Sequence, residues 1–297
     1  MSLPFLYTNG KAFVEDGGER RWVWKGSSDF KLFARYMDGE DITPVLRQRQ
    51  EVGANILRVF LMYDGALGRF HPWEHDWPSF FRSFIPLVGA HGLRVKFDVC
   101  ADAQVAMSEL WMRQMWFRDI TTTAAEYANI ALISAGNEWP QNGFKPTDFT
   151  RPTNTGRLLL ARGSSVGDAP PWGHYGDPYI DQWDFIEWHS RRDSPKYLLD
   201  NDAWFIGDGQ VRPVEPPSKP ARPIVDDEPI GASENPQPGR RYNDTYSAQA
   251  LALKSRIISG MTFHSDQGIN SELWTGNTLK CAEACFRVLN AYIGEDY

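Results

Sequence analysis

The chain has 297 residues, of which 42% are hydrophobic and 23% charged, and this composition excludes a largely disordered protein. Its formal net charge of -7 argues against nucleic acid as the main partner, because a phosphate-binding surface needs clustered Lys and Arg. A neutral substrate fits better, and the 12 Trp, 11 Tyr and 17 Phe provide apolar faces that suit sugar rings as well as protein cores.

The cysteines and the apolar runs bear on the location of the protein. Cys100, Cys281 and Cys285 are an odd number without a metal-type CxxC pair, which favours a reducing compartment over a disulfide framework. Neither a signal-type amino terminus nor an apolar run of about 18 residues is found. The sequence therefore predicts a soluble, cytoplasmic protein without a membrane partner, although a secretion signal removed beforehand would leave no trace. It leaves the oligomeric state open.

Short apolar runs alternate with helical patterns, and this alternation predicts repeated βα units around a parallel sheet. Residues 1–19 are expected to form an irregular or hairpin extension over one end of that sheet. Several of the runs are apolar throughout, as expected of strands buried on both faces. The eight predicted strands are 21–26, 55–62, 93–99, 130–136, 157–162, 183–189, 223–228 and 260–265.

Helical patterns separate most of these strands. The predicted helices are 42–52, 79–91, 108–127, 194–204, 247–259 and 278–292. Two further helices are missing, because 139–155 and 163–181 are rich in residues that break helices, and the proline-rich stretch 207–222 is expected to be a long loop. About 250 residues are typical of a (β/α)8 barrel, so we predict one α/β TIM-barrel domain over 1–297 with some helices shortened or replaced by loops.

Two carboxylates follow predicted strands on opposite sides of this barrel. Asn137 and Glu138 come directly after the fourth strand, and Glu228 ends the seventh. Catalytic groups of α/β barrels lie where strands end, and cleavage of a glycoside with retention needs two carboxyls about 5 Å apart. Any single Glu after a strand is more often a surface acid, but two at matching ends favour a catalytic pair. Strand alternation predicts that Asp226 shares a face with Glu228 while Asp227 points away.

Together, the sequence Asn137-Glu138, the sequence Glu228-Pro229 and the segment 53–60 resemble the large clan of (β/α)8 retaining glycoside hydrolases that includes cellulases, mannanases and β-galactosidases. The resemblance implies that Glu138 is the general acid and base and Glu228 the nucleophile. It also implies that Asn137 binds the sugar 2-hydroxyl and that Arg58 holds Glu228 ionised. Arg58 could equally be a structural ion-pair partner.

The sequence departs from the clan at two strand ends. The clan places a tyrosine after the sixth strand, where this chain has His189, whose ring N–H could also donate to a carboxylate. It often places a tryptophan at the end of the eighth strand, where this chain has His264. Trp274 and Trp139 are alternative platforms for a sugar ring, and each could instead be an ordinary core residue.

Other polar residues have less specific patterns. Asp98, Asp102 and Glu187 are expected to line the cleft as polar contacts. His71 and His75 have the spacing of a metal pair, but the intervening proline and the absence of a third ligand favour a substrate-side loop. No phosphate loop, dinucleotide fingerprint or serine elbow is found, so we predict a hydrolase without cofactor or metal that acts on a carbohydrate.

Two other functions stay open at this point. One is a non-catalytic carbohydrate-binding protein on the same barrel, which the missing tyrosine and the displaced tryptophan favour. The other is a metal-dependent barrel hydrolase built on the six histidines. The sugar, the linkage and the choice between internal and terminal cleavage depend on loop shape, for which the sequence offers no motif.

Overall fold

The structure is a computed structural model that describes residues 2–10, 12–15, 18, 20–138, 145, 147–163, 182–188, 222–228, 231–233, 241–242, 245–255 and 259–291. Trp139 and His189 lie outside the described residues, as do the predicted helix 194–204 and nearly all of the loops 163–181 and 207–222.

The predicted alternation of strands and helices is present along the described chain. The strands are β1 (Leu6–Asn9), β2 (Ala12–Glu15), β3 (Arg21–Trp22), β4 (Trp24–Ser28), β5 (Ile56–Phe60), β6 (Tyr63–Gly65), β7 (Gly68–Phe70), β8 (Arg94–Cys100), β9 (Ala131–Gly136), β10 (Leu159–Ala161), β11 (Ile186–Trp188), β12 (Ile224–Asp226), β13 (Gly231–Ala232), β14 (Arg241–Tyr242) and β15 (Gly260–Phe263). The α-helices are α1 (Leu32–Met37), α2 (Thr43–Val52), α3 (Trp77–Ala90), α4 (Ala103–Ala106), α5 (Leu110–Ala124), α6 (Thr245–Lys254), α7 (Asp266–Ile269) and α8 (Gly276–Asn290), and 3-10 turns cover Pro72–Glu74 and Ala125–Tyr127.

Eight of these strands form one parallel sheet in the order β10, β9, β8, β5, β4, β15, β12, β11. Each overlaps one of the eight predicted runs. The edge strands β10 and β11 follow each other in the chain, and the backbone N–H of Asp184 donates to the carbonyl of Leu160 at 2.9 Å between them. The sheet is thus a nearly closed barrel, and the predicted fold class is confirmed.

The central strands are apolar because both of their faces are covered. Every residue of β5, β8 and β9 is buried. Their outward side chains meet helices α1 to α5 in one large apolar cluster, while β15 packs against α6 and α8 in a second one. Cys281 and Cys285 on α8 are buried among the residues of this second cluster. None of the described helices combines the length and apolar character needed to cross a membrane.

An antiparallel sheet of β1, β2 and β3 covers the amino-terminal end of the barrel. Phe13 of this sheet packs against Trp24 and Phe185, with ring centroids 5.7 and 5.6 Å apart. The hairpin predicted within residues 1–19 is therefore present, and its aromatic side chains close the apolar floor of the barrel.

The inside of the barrel changes from apolar to charged along the strand direction. Inward residues of the floor include Ile56, Leu132, Phe185 and Val225, which belong to the same apolar cluster as Phe13. Because side chains alternate along a strand, the next inward residue lies two positions later. Those positions hold Arg58, Ser134, Glu187 and Asp227, all of them buried. A polar layer therefore lies between the floor and the carboxyl ends of the strands.

Candidate active site

Arg58 of β5 is the centre of the site. Its guanidinium is fully buried, and its Nε lies 2.8 Å from both Asp98 Oδ2 and Asp227 Oδ2. Its Nη1 donates to Glu228 Oε2 at 2.8 Å, and its Nη2 donates to the amide oxygen of Asn137. Burial opposes the charge on Arg58, but the three surrounding carboxylates raise its pKa well above the usual value. This guanidinium, itself on β5, therefore holds groups from β8 and from the segments after β9 and β12 in one place.

An aromatic pair supports the guanidinium from the side. Phe30 and Phe60 stack with centroids 3.8 Å apart. The Cζ of Arg58 lies 4.9 Å from the Phe30 ring centroid and 5.3 Å from that of Phe60, within the range of a cation–π contact. Arg58 is thereby restricted by packing as well as by ion pairs.

Asn137 and Glu138 follow the end of β9. The backbone N–H of Asn137 donates to the Cys100 carbonyl at 3.4 Å, so this loop continues the pairing of β9 with β8. Glu138 is buried, with 5% of its surface exposed. Burial raises the pKa of nearby Asp102, and the charges of Glu138 and Asp64 add to the rise. Glu138 thus belongs to an acidic group at the rim.

Glu228 lies two residues beyond the end of β12 and is also buried, with 5% of its surface exposed. Its Oε2 accepts from Arg58, and its Oε1 lies 3.8 Å from Nε2 of His264. The other ring nitrogen of His264 lies 3.0 Å from the hydroxyl oxygen of Ser28, which fixes the ring. A guanidinium in direct contact favours the ionised form of a carboxyl group, as a nucleophile requires.

The prediction for the residues before Glu228 is wrong. Asp227, rather than Asp226, points into the barrel, where its carboxylate contacts Arg58 and Lys96 and accepts from the Thr262 hydroxyl at 2.9 Å. The physical reason is that β12 ends at Asp226, so simple alternation does not extend to Glu228. Both Asp227 and Glu228 therefore reach Arg58.

Below Arg58, Lys96 is surrounded by three buried carboxyl groups. Its ammonium nitrogen lies 2.7 Å from Asp98 Oδ1, 2.6 Å from Glu187 Oε1 and in contact with Asp227 Oδ2. The oxygens of these three residues are close enough together to bind a cation, and the ammonium fills that place. Asp98 and Glu187 were expected to line the cleft, but both are instead part of this buried layer.

The remaining predicted positions fall in different places. Trp274 lies away from the cleft: it is 1% exposed, and its ring packs against Phe263, Phe286 and the guanidinium of Arg49. Of the two alternatives for this residue, the structure has the core one. Trp139 and His189 are not among the described residues.

The two histidines with metal-like spacing are separated in the structure. His71 is buried with Nε2 at 2.9 Å from Asp64 Oδ2, and its ring stacks on Trp73, whereas His75 is exposed. The hairpin of β6 and β7 that holds Asp64 follows barrel strand β5, so His71 belongs to a loop on the open side of the barrel.

Sequence reasoning missed Lys96, Ser28 and Phe30. A lysine within an otherwise apolar strand was the available signal for Lys96, because a buried lysine requires acidic partners. Ser28 is the last residue of β4 and Phe30 lies two residues beyond it, and nothing in their local sequence marks either as a site residue.

Searches against family models and against curated proteins found no match. Solved structures do match. A Bacteroides vulgatus protein assigned to the glycoside hydrolases aligns with a TM-score of 0.69 at 15% identity over 97% of this chain and 61% of that one. The β-glucanase of Saccharophagus degradans in complex with cellotetraose gives 0.68 at 12% identity over 98% and 95%. A family 5 mannosidase from Rhizomucor miehei gives 0.64 at 12% identity over 98% of each chain.

Because the sequence identities are this low, the similarity establishes the fold alone. The chain spans 61% and 63% of the length of two matching Bacteroides vulgatus structures, so those proteins extend well beyond the aligned part. The resemblance inferred from Asn137-Glu138 and Glu228-Pro229 is confirmed at this level, since the chain has the (β/α)8 fold of glycoside hydrolases.

Proposed function

We propose that this protein is a retaining glycoside hydrolase that cleaves a β-linked oligosaccharide or polysaccharide, with Glu138 as acid and base and Glu228 as nucleophile. The observation that carries the proposal is the bridging position of Arg58. Its guanidinium donates to Glu228 through one nitrogen and to Asn137, the neighbour of Glu138, through another. Both carboxyl groups thus belong to the carboxyl end of the barrel, where α/β-barrel enzymes have their active sites.

Two displacements make up the reaction. In the first, a carboxylate oxygen of Glu228 attacks the anomeric carbon, the glycosidic bond breaks, and the leaving oxygen takes the proton of Glu138. In the second, Glu138 removes a proton from water, the water oxygen attacks the anomeric carbon, and Glu228 leaves as a carboxylate. Arg58 stabilises the ionised nucleophile in both steps. The amide oxygen of Asn137 accepts from Arg58, and its N–H groups would donate to the sugar 2-hydroxyl.

The similar structures and the charge of the chain support a proposal for the class of substrate. One matching structure is a β-glucanase with cellotetraose, and another is a β-mannanase with mannohexaose, which aligns at 19% identity with a TM-score of 0.53. A neutral glucan or mannan also fits a chain of net charge -7 better than an acidic polymer does. We therefore propose a β-linked glucan or mannan as substrate.

The direct test is a screen of aryl β-glycosides and β-linked polysaccharides with mass-spectrometric analysis of the products. Glu228→Ala should abolish turnover, and azide should restore cleavage with formation of the inverted glycosyl azide. Glu138→Ala should slow cleavage most for substrates with poor leaving groups. The matched control is Glu126→Ala, since Glu126 is an exposed glutamate in the 3-10 turn after α5. Unchanged turnover in Glu228→Ala would refute the assignment.

A non-catalytic carbohydrate-binding protein is the second candidate. The observation that favours it is the end of β15, where buried His264 stands in the place that the clan often gives to tryptophan, while Trp274 packs in the core. Binding to a glycan panel by calorimetry without release of reducing ends would favour this second function over hydrolysis.

A further inference from the structure

Beneath the proposed site lies a layer of buried charged groups that the two displacements do not use. It consists of Lys96 and Asp98 on β8, Glu187 on β11, Asp227 after β12 and Ser134 on β9. We call these five residues the lower polar layer. All are buried, and each contacts at least one of the others. Charged groups in such a position are costly unless they are fully paired.

We propose that Lys96 and Glu187 are positioning residues of this site: Lys96 fixes the two aspartates that hold Arg58, and Glu187 carries a proton that it donates to the Ser134 hydroxyl. The proposal rests on the proposed function only for its effect on catalysis. The protonation of Glu187 is a property of the folded protein and can be tested without a substrate.

Lys96 is connected to the nucleophile through a short chain of contacts. Its ammonium group has three N–H donors, and it meets one oxygen from each of Asp98, Glu187 and Asp227. Asp98 and Asp227 both also contact Arg58 Nε at 2.8 Å. The two aspartates therefore cannot move without displacing either Lys96 or the guanidinium that holds Glu228. Lys96 acts on Glu228 only through these two residues.

The Ser134 hydroxyl lies within hydrogen-bond distance of two oxygen atoms and can donate to only one of them. Its hydroxyl oxygen is 2.9 Å from the Gly136 carbonyl oxygen and 2.5 Å from Glu187 Oε2. A hydroxyl has one hydrogen to donate, and a carbonyl oxygen can only accept. When Ser134 donates to Gly136, the short contact with Glu187 is a hydrogen bond only if Glu187 is the donor. A protonated Glu187 satisfies both contacts.

The balance of charges in this group also favours one protonated carboxyl group. Arg58 and Lys96 are two cations, whereas Asp98, Asp227, Glu187 and Glu228 would be four anions if all were ionised. Burial raises the pKa of Glu187 to about 8, Lys96 opposes the rise, and Asp227 and Asp98 add to it. Burial also raises the pKa of Asp98, but the charges of both Lys96 and Arg58 oppose this. Together with the Ser134 contact, these charges favour Glu187 as the neutral member of the group.

A neutral Glu187 leaves one excess negative charge in this group. Glu228, at the open end of the barrel, carries that charge. The transition state of glycoside cleavage resembles an oxocarbenium ion, so positive charge develops on the sugar next to Glu228. A fixed layer below the nucleophile allows that charge to be stabilised without rearrangement of the protein.

The first test concerns Glu187 itself and needs no substrate. In Glu187→Gln, the infrared band of a buried protonated carboxyl should disappear from the spectrum at neutral pH. Since the folded pKa of about 8 exceeds the usual glutamate pKa of 4.5, folding of the wild type takes up a proton between these values, and its stability falls as pH rises through this window. Gln cannot titrate, so the Tm of the variant relative to wild type should rise with pH there. A variant that loses Tm relative to wild type over that window, or a wild type without the band, would overturn the proposal.

The second test concerns Lys96 and uses the pH profile of cleavage. Lys96→Met should move the acidic limb of kcat/KM to higher pH, because a displaced Arg58 stabilises ionised Glu228 less. The matched control is Lys25→Met on β4, two strands away from β8 in the sheet, where the ammonium donates to the Asn290 amide oxygen outside the barrel at 2.6 Å. If both variants keep the wild-type limb, Lys96 has no positioning role. If Lys96→Met fails to fold, the infrared and Tm measurements on Glu187→Gln still decide the proposal. Absence of hydrolysis by the wild type would refute the proposed function without affecting those two tests.

Discussion

Replacement of Arg58 by Met separates a role in the site from a role in folding. Met keeps much of the side-chain volume but removes a guanidinium that contacts Asp98, Asp227 and Glu228, each at 2.8 Å. Removal of one partner from a buried ion pair costs about 3–5 kcal/mol, because the remaining charges stay buried. Against a typical stability of about 5–15 kcal/mol, the variant should be folded but clearly weakened.

The same substitution should reduce catalysis by a separate amount. The lost hydrogen bond to the Glu228 carboxylate is worth about 1.5–3 kcal/mol, which corresponds to about a 10- to 150-fold loss of kcat/KM. Arg49→Met is the matched control. Arg49 is equally buried, pairs with Asp29 at 2.9 Å and lies 3.7 Å over the Trp274 ring, outside the cleft. It should lose similar stability in a urea titration but retain kcat/KM per folded molecule. Equal activity in the two variants would show that Arg58 is only a structural partner.

Substitutions at three further positions test the rim of the site, the core and the backbone after β10. Asn137→Ala should lower kcat/KM by about 10- to 150-fold with little loss of Tm, because its amide accepts a charged hydrogen bond from Arg58 at the rim; a wild-type kcat/KM would exclude it from the site. Trp274→Phe should keep the wild-type kcat/KM. Trp274→Ala should lower the free energy of unfolding, measured by chemical denaturation, by about 3–5 kcal/mol, because the ring is a core residue. A selective loss of substrate affinity in the Phe variant would contradict this. Gly163→Ala should destabilise the protein by at least about 1–2 kcal/mol, because Gly163 has φ of 110° and an added Cβ would collide with the Gly136 carbonyl; an unchanged urea midpoint would contradict this.

The sequence predicts the barrel well because its strands are buried on both faces. Apolar runs such as 93–99 and 130–136 are typical of strands buried on both faces of a sheet, and they correspond to β8 and β9. Strand ends are harder to predict. The run 223–228 continues past the end of β12 at Asp226, and this error reversed the expected directions of Asp226 and Asp227.

The carboxylates at the rim could be proposed from sequence because each follows a strand directly. The lower polar layer could not, because its members come from four strands and meet only when the barrel closes. Lys96 contacts Glu187 across 91 positions and Asp227 across 131, and no local pattern encodes such contacts. The core position of Trp274 likewise depends on how α8 packs on β15, which periodicity alone does not determine.

The most direct test of the central claim is covalent trapping of the nucleophile. Incubation with a 2-deoxy-2-fluoro β-glycoside of the sugar found in the substrate screen should slow the second displacement and leave a glycosyl group on the protein. Mass spectrometry of the digested protein should then show one glycosyl unit, attached to Glu228, and no labelling in Glu228→Ala. A label on another carboxylate, or an unlabelled wild type that releases product of inverted configuration, would contradict the assignment.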